Sequence, residues 1–446
     1  MIYRRPLNRF YKSTQLSILM KINGVLANQI KNLRPKDSEI NLLKKITKDF
    51  TKNIEKELSI QNVNADVFVG GSFAKKTFLK SDKYDVDIFV RFDWKYGQIS
   101  EELEKIIIPV CEKIGLIYEK IHGSRDYFRV YHSDVNGYFE VIPVTKIKKP
   151  TEERNVTDLS YFHVSYVKSK INGIEDQVRL AKKFFKAQRV YGAETYVRGF
   201  SGYTAELLII KYKSFTKMLR EISKVKIGER LVIDIAKHYK NKSDVFIHVN
   251  EAKLHSPIIL IDPTYKERNA MAALSNETLT KIKNSIKLFF KKPSEDFFIL
   301  KKIDEEQLKK KALKNNKQFL IIDLKTDKQR GDIAGTKLKK FAEVLHREVG
   351  NVFDISGFEF SYDDAQSGKV FLALNPKKEI IRIGPPIDMK KHVSRFKSEH
   401  VKTFIKNKRI HAKIPILKES RAFLHSWKIG NEKMLEQMHI VSMNIN

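Results

Sequence analysis

The spacing of hydrophobic residues changes several times along the first 150 residues. Apolar residues recur every three or four positions from 37 to 58, which predicts an amphipathic helix. Shorter patterns of period two follow, which predict strands. The elements predicted after the first helix are strands at 66–69 and 84–92, a helix at 101–117, and strands at 127–132 and 138–144. Strands and helices mixed in this way predict an α+β domain with an open sheet.

The remainder of the chain has two different patterns. A polar stretch at 146–154 reads as a linker, and residues 177–290 are mostly helical in spacing. From about 296 the two periods mix again. The elements predicted there are strands at 297–301, 318–324, 352–362 and 369–374, a helix at 336–349, a turn at 384–386 and a basic helix at 392–408. A charge run at 304–317 predicts a solvated surface.

Composition and charge narrow the class of protein. The chain has 446 residues, which corresponds to about two to four domains. Its 85 basic and 53 acidic residues give a net charge of +32, which predicts a polyanionic partner, either nucleic acid or, less often, an anionic membrane surface. The single cysteine, Cys111, excludes an intrachain disulfide framework and a zinc site built from cysteines. The sequence contains no run of about 18 apolar residues, so it predicts no membrane-spanning helix.

The N-terminal segment allows three interpretations. Residues 1–36 contain no Asp or Glu, and four basic residues lie within the first twelve. This composition is typical of an organellar transit peptide. A basic arm, or a start codon assigned upstream of a true start at Met20, accounts for it equally well.

Two acidic residues in the predicted strand 84–92 indicate a metal-binding site. Side chains of a strand alternate between its faces, so Asp85 and Asp87 project from the same face while the apolar residues between them anchor the other. Two neighbouring carboxylates repel each other unless a cation lies between them. Mg²⁺ prefers such oxygen ligands. Glu140, on the predicted strand 138–144, is the candidate for a third ligand.

A glycine-rich turn lies just before the acidic strand. Gly70 and Gly71 would let backbone N–H groups approach phosphate oxygens, while Ser72 adds a hydroxyl donor and Lys75 a positive charge. Alone, an Asp-x-Asp pair is usually a solvated strand edge and a Gly-Gly-Ser sequence is usually a turn. Their combination at this spacing favours a metal and phosphate site.

These residues resemble the signature of the nucleotidyltransferase superfamily, Gly-Ser followed by Asp-x-Asp. The rest of the chain, from about Val25 to the C-terminus, resembles one of its families, the archaeal-type (class I) CCA-adding enzymes, which are tRNA nucleotidyltransferases. Each matching stretch is weak alone, but their order and spacing are specific. The stretches lie at 161–163, 177–182, 190–194, 198–203, 206–208, 262–263, 268–269, 272–275 and 384–386.

The resemblance implies a multidomain α+β fold. A polymerase-β-like nucleotidyltransferase palm domain at 25–150 would carry the metals, and a helical central domain at 151–290 would close over the nucleotide. An α/β region at 291–446 would bind tRNA, and residues 1–24 would form a basic N-terminal extension.

The resemblance also assigns roles to single residues. The family's ligands of two Mg²⁺ ions correspond to Asp85, Asp87 and Glu140. Its contacts to the triphosphate, ribose and base of the nucleotide correspond to Gly71, Ser72, Lys75, Ser160, His163, Lys182, Tyr191 and Arg268. Three features depart from the family pattern: Lys75 replaces an arginine, Glu140 replaces an aspartate, and the loop 123–127 lacks the usual Ala-x-His-Pro-Tyr sequence.

The implied reaction is template-free addition of C, C and A to the 3′ end of tRNA from CTP and ATP. The implied partner is the acceptor and T arms of tRNA, contacted in part by Lys390, Lys391 and Arg395. A cytoplasmic location follows from this role, and a homodimer is left open. Two alternatives remain: a poly(A) polymerase or oligoadenylate synthase on the same scaffold, and an RNA-binding protein with an inactive site. The intact pair Asp85 and Asp87 argues against the second.

Overall fold

The structure, a computed structural model, describes residues 7–81, 83–226, 228–363, 365–377, 379–415 and 419–446. The first six residues of the predicted N-terminal extension therefore lie outside the described residues. The chain divides into two units, which we describe separately. The N-terminal unit comprises Met1–Ala193 and Val197–Leu300, and the C-terminal unit comprises Glu194–Tyr196 and Lys301–Asn446.

The first part of the N-terminal unit is a five-stranded sheet with helices packed on it. The elements are α1 (Leu7–Leu33), α2 (Asp37–Ile60), β1 (Ala65–Val69), α3 (Gly71–Ala74), β2 (Tyr84–Phe92), α4 (Ile99–Ile114), β3 (Ile117–Ile121), β4 (Tyr127–Tyr131) and β5 (Gly137–Thr145). The strand order is β1-β2-β5-β4-β3, with β2 and β5 parallel. The apolar faces of α2 and α4 pack against this sheet around one hydrophobic core.

One prediction for this part is wrong, and part of the predicted N-terminal extension lies in a helix. The helix predicted at 101–117 ends at Ile114, and the strand β3 begins at Ile117. Residues 7–24 of the predicted extension belong to the long helix α1, whose later residues Ile22 and Val25 are buried in the helical core described next. The N-terminal segment is thus joined to the fold through apolar contacts.

The second part of the N-terminal unit is mainly helical. Its elements are α5 (Ser160–Lys170), α6 (Glu175–Ala187), α7 (Gly202–Tyr212), α8 (Phe215–Lys224), β6 (Leu231–Asp234), α9 (Lys242–His248), β7 (Ile258–Asp262), β8 (Tyr265–Asn269) and α10 (Asn276–Lys291). The three strands form a sheet of order β6-β7-β8 that the sequence pattern did not predict. All five residues of β7 are buried, so no alternation of polar and apolar residues marks it as a strand.

The C-terminal unit contains two further sheets. Its elements are α11 (Glu305–Lys314), β9 (Gln318–Thr326), α12 (Asp332–Val352), β10 (Phe353–Tyr362), β11 (Ser367–Pro376), β12 (Glu379–Pro386), α13 (Lys390–Glu399), β13 (Thr403–Lys406), β14 (Arg409–Pro415), α14 (Ser420–Gly430), α15 (Glu432–Gln437) and β15 (Ile440–Ile445). The sheets have the orders β10-β11-β9-β15 and β12-β14-β13.

Three predictions near this unit are wrong. The stretch 297–301 is not a strand, because a short 3-10 helix spans Glu295–Phe298. Residues 384–386 end the strand β12 instead of forming a separate turn. The basic helix predicted at 392–408 ends at Glu399, and the strand β13 follows at Thr403–Lys406.

Candidate active site

The pairing of β2 with β5 brings the three predicted acidic residues onto adjacent strands. Val86 and Ile88 are almost completely buried, whereas Asp85 is exposed and Asp87 is half-buried, which confirms the predicted alternation. In the parallel register, Asp87 lies directly opposite Glu140. The sheet therefore positions Asp85, Asp87 and Glu140 as neighbours, as the sequence predicted.

The carboxylates affect one another strongly. Burial raises the pKa of Asp87 to about 7, with further contributions from the negative charges of Glu140 and Asp85, while Lys75 opposes the shift. Burial also raises the pKa of Glu140, although Arg129 opposes that shift. Grouped carboxylates of this kind bind a proton or a cation readily. Asp85 and Asp87 supply the oxygen ligands that fit a divalent cation such as Mg²⁺.

Glu140 is engaged in a different interaction. Arg129 lies opposite it on β4, and its Nε donates to Oε1 of Glu140 at 2.9 Å. Within the described ranges, no three His, Cys, Asp or Glu side chains form a group ready to hold a metal ion. Glu140 would have to share its carboxylate with Arg129 or leave it in order to act as a third ligand, so that role remains a prediction.

The glycine-rich turn packs directly on the acidic strand. The backbone N–H of Gly70 donates to the carbonyl of Asp87 at 2.8 Å. Gly71 has a φ of +57°, and a Cβ added there would lie 1.5 Å from Oδ2 of Asp87. Only glycine fits between this turn and the carboxylate. The predicted phosphate loop and the predicted metal ligands therefore meet at Gly71 and Asp87.

A buried ionic cluster surrounds Glu206, which the sequence analysis did not assign to the site. Its carboxylate accepts from Lys75 Nζ at 2.6 Å, from Thr77 Oγ1 at 2.7 Å and from Lys182 Nζ at 2.9 Å. Glu206 is completely buried and lies on α7, whereas Lys75 and Thr77 follow the glycine-rich turn and Lys182 lies on α6. The cluster therefore connects the loop to the helical part of the unit.

The two predicted triphosphate lysines are thus held inward in this structure. The ammonium of Lys182 donates to Glu206, and also to the hydroxyl and the carbonyl of Thr77 at 2.9 and 3.4 Å. Lys75 still acts electrostatically on Asp87. A phosphate contact by Lys182 would therefore require its ammonium to exchange partners.

Tyr191 and Lys186 lie close to the end of α6. The Tyr191 hydroxyl lies beside Gly202, where an added Cβ would come within 2.8 Å of it. The ammonium of Lys186 lies 5.0 Å from the centre of the Tyr191 ring. Desolvation lowers the pKa of Lys186, and the negative charge of Asp85 opposes that shift. The sequence analysis missed Lys186, although its spacing of four residues from Lys182 places both on one side of α6.

His163 and Arg268 meet at one buried carboxylate. Nε2 of His163 lies 3.0 Å from Oδ2 of Asp262, and Nη1 of Arg268 donates to the same oxygen at 2.7 Å. Burial lowers the pKa of His163, and Asp262 opposes this shift. Burial acts against ionisation of Asp262, but His163 and Arg268 outweigh it and keep its pKa well below the usual range. Ser160, the remaining predicted contact, is the first residue of α5.

Comparison with known proteins places this arrangement in a family. Residues 51–191 match the nucleotidyltransferase domain, and residues 176–299 match the family described as tRNA nucleotidyltransferase, second domain. The CCA-adding enzyme of Nanoarchaeum equitans is 35% identical over 76% of this chain and 81% of its own length. This chain belongs to the CCA-adding enzyme family.

Other members of the CCA-adding enzyme family extend the similarity along the chain. The enzyme of Sulfurisphaera tokodaii is 32% identical over 73% of this chain and 74% of its own length. The enzyme of Methanocaldococcus jannaschii is 29% identical over 89% of this chain and 88% of its own length. The resemblance drawn from the sequence motifs and the predicted fold class are therefore confirmed. No helix in the described part of the chain is long and apolar enough to span a membrane.

The Glu206 cluster leads to a prediction about stability and pH. Burial alone would raise the pKa of Glu206, but Lys182 and Lys75 outweigh it and lower the pKa to about 2. An acid with a lowered folded-state pKa stabilises the fold above its unfolded pKa of about 4.5. That contribution is lost as the pH falls from about 4.5 to 2. We expect Glu206→Gln to lower the free energy of unfolding by about 3 kcal/mol at pH 7 and by roughly half as much at pH 3.

Chemical denaturation at the two pH values measures this difference. The matched control is Glu221→Gln, which removes an ion pair with Lys224 on the surface of α8. Surface pairs contribute about 0–1 kcal/mol, so the control should change stability little at either pH. Equal effects of the two substitutions would contradict the assignment of Glu206 as a strongly ionised buried anion.

Proposed function

We propose that this protein adds the terminal C, C and A to the 3′ end of tRNA, with CTP and ATP as substrates and without a template. Membership of the CCA-adding enzyme family is the observation that carries this proposal. The acidic pair of β2 can bind a divalent cation, and the glycine-rich turn that packs on it can bind the phosphates of a nucleotide that carries this cation. The alternative of an inactive RNA-binding protein is disfavoured, since Asp85 and Asp87 are both present on one face of β2.

In the proposed reaction, the 3′-hydroxyl oxygen of the RNA forms a bond with the α-phosphorus of the nucleotide. The hydroxyl loses its proton, the bond from that phosphorus to the bridging oxygen breaks, and pyrophosphate leaves. Asp85, Asp87 and, after exchange with Arg129, Glu140 would hold Mg²⁺. When bound, two such ions lower the pKa of the attacking hydroxyl and stabilise the charge of the leaving group.

The chain's own cations and donors would bind the nucleotide. Lys75 lies close enough to Asp87 to influence its ionisation, which suits a role beside the phosphates. Ser72 begins a helical turn directly after Gly71, and its hydroxyl can donate to a phosphate oxygen. Lys182 and Tyr191 would contribute from α6 and the segment that follows it. Positive groups around the triphosphate stabilise the charge that develops during transfer.

The domain roles follow the same reasoning. We assign catalysis to the palm domain at 25–150, closure over the nucleotide to the helical domain at 151–290, and tRNA binding to the region 291–446. The net charge of +32 favours contacts to the RNA backbone. Such contacts bind without reading sequence, as an enzyme that acts on every tRNA requires.

The test uses tRNAs that end before the CCA sequence, after the first C and after the second C. Each of the four nucleoside triphosphates is offered separately with Mg²⁺. The proposal predicts that CTP extends only the first two substrates, that ATP extends only the third, and that UTP and GTP are poor substrates. Repeated addition of A to any of the substrates would favour the poly(A) polymerase alternative.

A second prediction concerns the basic helix α13. Lys390, Lys391 and Arg395 are exposed, and Arg395 pairs with Glu399 one turn away, a surface interaction of small energy. We expect Lys391→Ala with Arg395→Ala to weaken binding of all tRNAs alike. The slope of the logarithm of the binding constant against the logarithm of the salt concentration should decrease in magnitude by roughly 0.7–0.9 per lost phosphate contact. Incorporation at saturating tRNA should stay nearly normal.

Measurement of tRNA affinity across a salt series tests this prediction. The matched control is Lys309→Ala with Lys310→Ala, which removes two exposed lysines from α11 in the same unit. If both double variants lose the same affinity and slope, general charge and not α13 accounts for binding. An unchanged affinity in the α13 variant would show that this helix is a solvated surface.

A further inference from the structure

Asp262 is a completely buried carboxylate that the predicted machinery does not include. It is the last residue of β7, the wholly buried central strand of the β6-β7-β8 sheet. A buried carboxylate is costly unless donors surround it. Here the donors come from α5, from α7 and from the turn and strand that follow β7. Four separate parts of the chain therefore converge on this side chain.

The two oxygens of Asp262 have different partners. Oδ1 accepts from the Tyr203 hydroxyl at 3.0 Å and from the backbone N–H and hydroxyl of Thr264 at 2.9 and 2.8 Å. Oδ2 lies 3.0 Å from Nε2 of His163 and 2.7 Å from Nη1 of Arg268. Oδ1 thus anchors the carboxylate locally, while Oδ2 joins two residues that the family resemblance assigns to the nucleotide site.

These contacts fix the orientation of His163. Because Asp262 is ionised and can only accept, the shared hydrogen belongs to Nε2 of the imidazole. The ring also stacks on Tyr203, with 4.1 Å between the ring centres and 23° between the planes. Nδ1 is then the ring nitrogen left for a ligand. Both the tautomer and the plane of His163 are set by the pair Asp262 and Tyr203.

We propose that Asp262 is a positioning residue that holds His163 and Arg268 in one arrangement, so that a single carboxylate sets both of these nucleotide contacts. This inference rests on the proposed function. A carboxylate that only stabilised the turn after β7 would require hydrogen bonds from Thr264 and no others. In this structure the second oxygen also contacts both His163 and Arg268. The two residues should therefore act as a unit toward both CTP and ATP.

Asp262→Asn tests the inference with little change of volume. The amide keeps one acceptor oxygen but places an N–H₂ group where the other oxygen was. The donors that point at that position, either at Oδ1 or at Oδ2, then lose their acceptor. We expect KM for CTP and for ATP to rise together by about tenfold or more, the scale of a lost charged hydrogen bond. The kcat should stay within about threefold, because Asp85, Asp87 and Gly71 are not in contact with Asp262.

The matched control is Asp234→Asn in the neighbouring strand β6. Asp234 accepts from the backbone N–H of Tyr239 at 2.9 Å, whereas the bonds of His163 and Arg268 go to Asp262. We expect its KM values to equal those of the wild type. An Asp262→Asn variant whose KM values rise no more than those of Asp234→Asn, or whose kcat falls while KM is unchanged, would overturn the inference.

A double-mutant cycle tests the same coupling if Asp262→Asn does not fold. His163→Ala, Arg268→Ala and the double variant are compared with the wild type for KM of both nucleotides. Residues that act as a unit are non-additive, so the increase in the double variant should be at least about threefold below the product of the single increases. An increase equal to that product would overturn the inference. Failure of the wild type itself to add C or A would instead refute the proposed function.

Discussion

Asp87→Ala is expected to abolish incorporation of both C and A, by about a thousandfold or more. Asp87 lies between Asp85 and Glu140, and its removal takes away the central carboxylate of the proposed metal site. A thousandfold loss corresponds to about 4 kcal/mol of transition-state stabilisation, which is within the range for a lost metal contact. Binding of tRNA should survive, because the net charge becomes slightly more positive. Single-turnover incorporation and tRNA affinity, measured on one preparation, test both parts.

Asp93→Ala is the matched control for this variant. Asp93 follows the last residue of β2, and its carboxylate accepts from Asn64 and from the backbone of Lys95. The same loss of one carboxylate at this position should leave incorporation close to normal. Incorporation by Asp87→Ala within several-fold of the wild type would refute the assignment of the β2 acids to the metal site.

Gly71→Ala is expected to reduce incorporation by about a hundredfold or more. An added Cβ would lie 1.5 Å from Oδ2 of Asp87, so either the turn or the carboxylate must move. A displacement of about 1 Å at a reacting centre costs about a hundredfold in rate. The left-handed backbone at Gly71 adds a strain of roughly 1–2 kcal/mol for any other residue.

Gly173→Ala separates the backbone strain from the contact with Asp87. Gly173 also has a positive φ, +81°, but an added Cβ there has no atom within 4 Å. We therefore expect Gly173→Ala to lower thermal stability modestly and to leave incorporation normal. If both glycine variants lose activity in proportion to their loss of stability, the contact between Gly71 and Asp87 has no special role in catalysis.

Local patterns explain what could be predicted from the sequence. The strand β2 was predicted at its observed bounds, because acidic and apolar residues alternate along it. The neighbouring position of Glu140 required only that β5 be recognised and placed beside β2. The order of the motifs then indicated the family, which the comparisons confirmed.

The sequence did not predict contacts between residues that are far apart along the chain. Glu206 meets Lys75 across 131 positions of the chain, and Asp262 meets His163 across 99. Nothing in the spacing of these residues indicates their contact, since each pairing depends on how helices and sheets pack. Both acids lie within stretches that resemble the family, at 206–208 and 262–263, but the resemblance assigns neither of them a role. Two buried anions therefore organise four of the predicted nucleotide contacts, namely Lys75 and Lys182 around Glu206 and His163 and Arg268 around Asp262.

The departures from the family pattern have a partial structural account. Lys75 is bound to Glu206, where a single ammonium donates to one carboxylate oxygen. In the loop 123–127, Arg125 is bound to the buried Asp158, which also accepts from the backbone N–H of Thr145. An ion pair therefore attaches this loop to Asp158, which in turn accepts from the last residue of β5.

We propose that one site adds C, C and A to the 3′ end of the tRNA and then stops. The most direct measurement offers all four nucleoside triphosphates together, with Mg²⁺, to a tRNA that ends before the CCA sequence, and sequences the 3′ ends of the products. We expect nearly all completed products to end in CCA with no further residue, and we expect Asp87→Ala to yield none of them. Products that carry tails of variable length or of a single repeated nucleotide would contradict it.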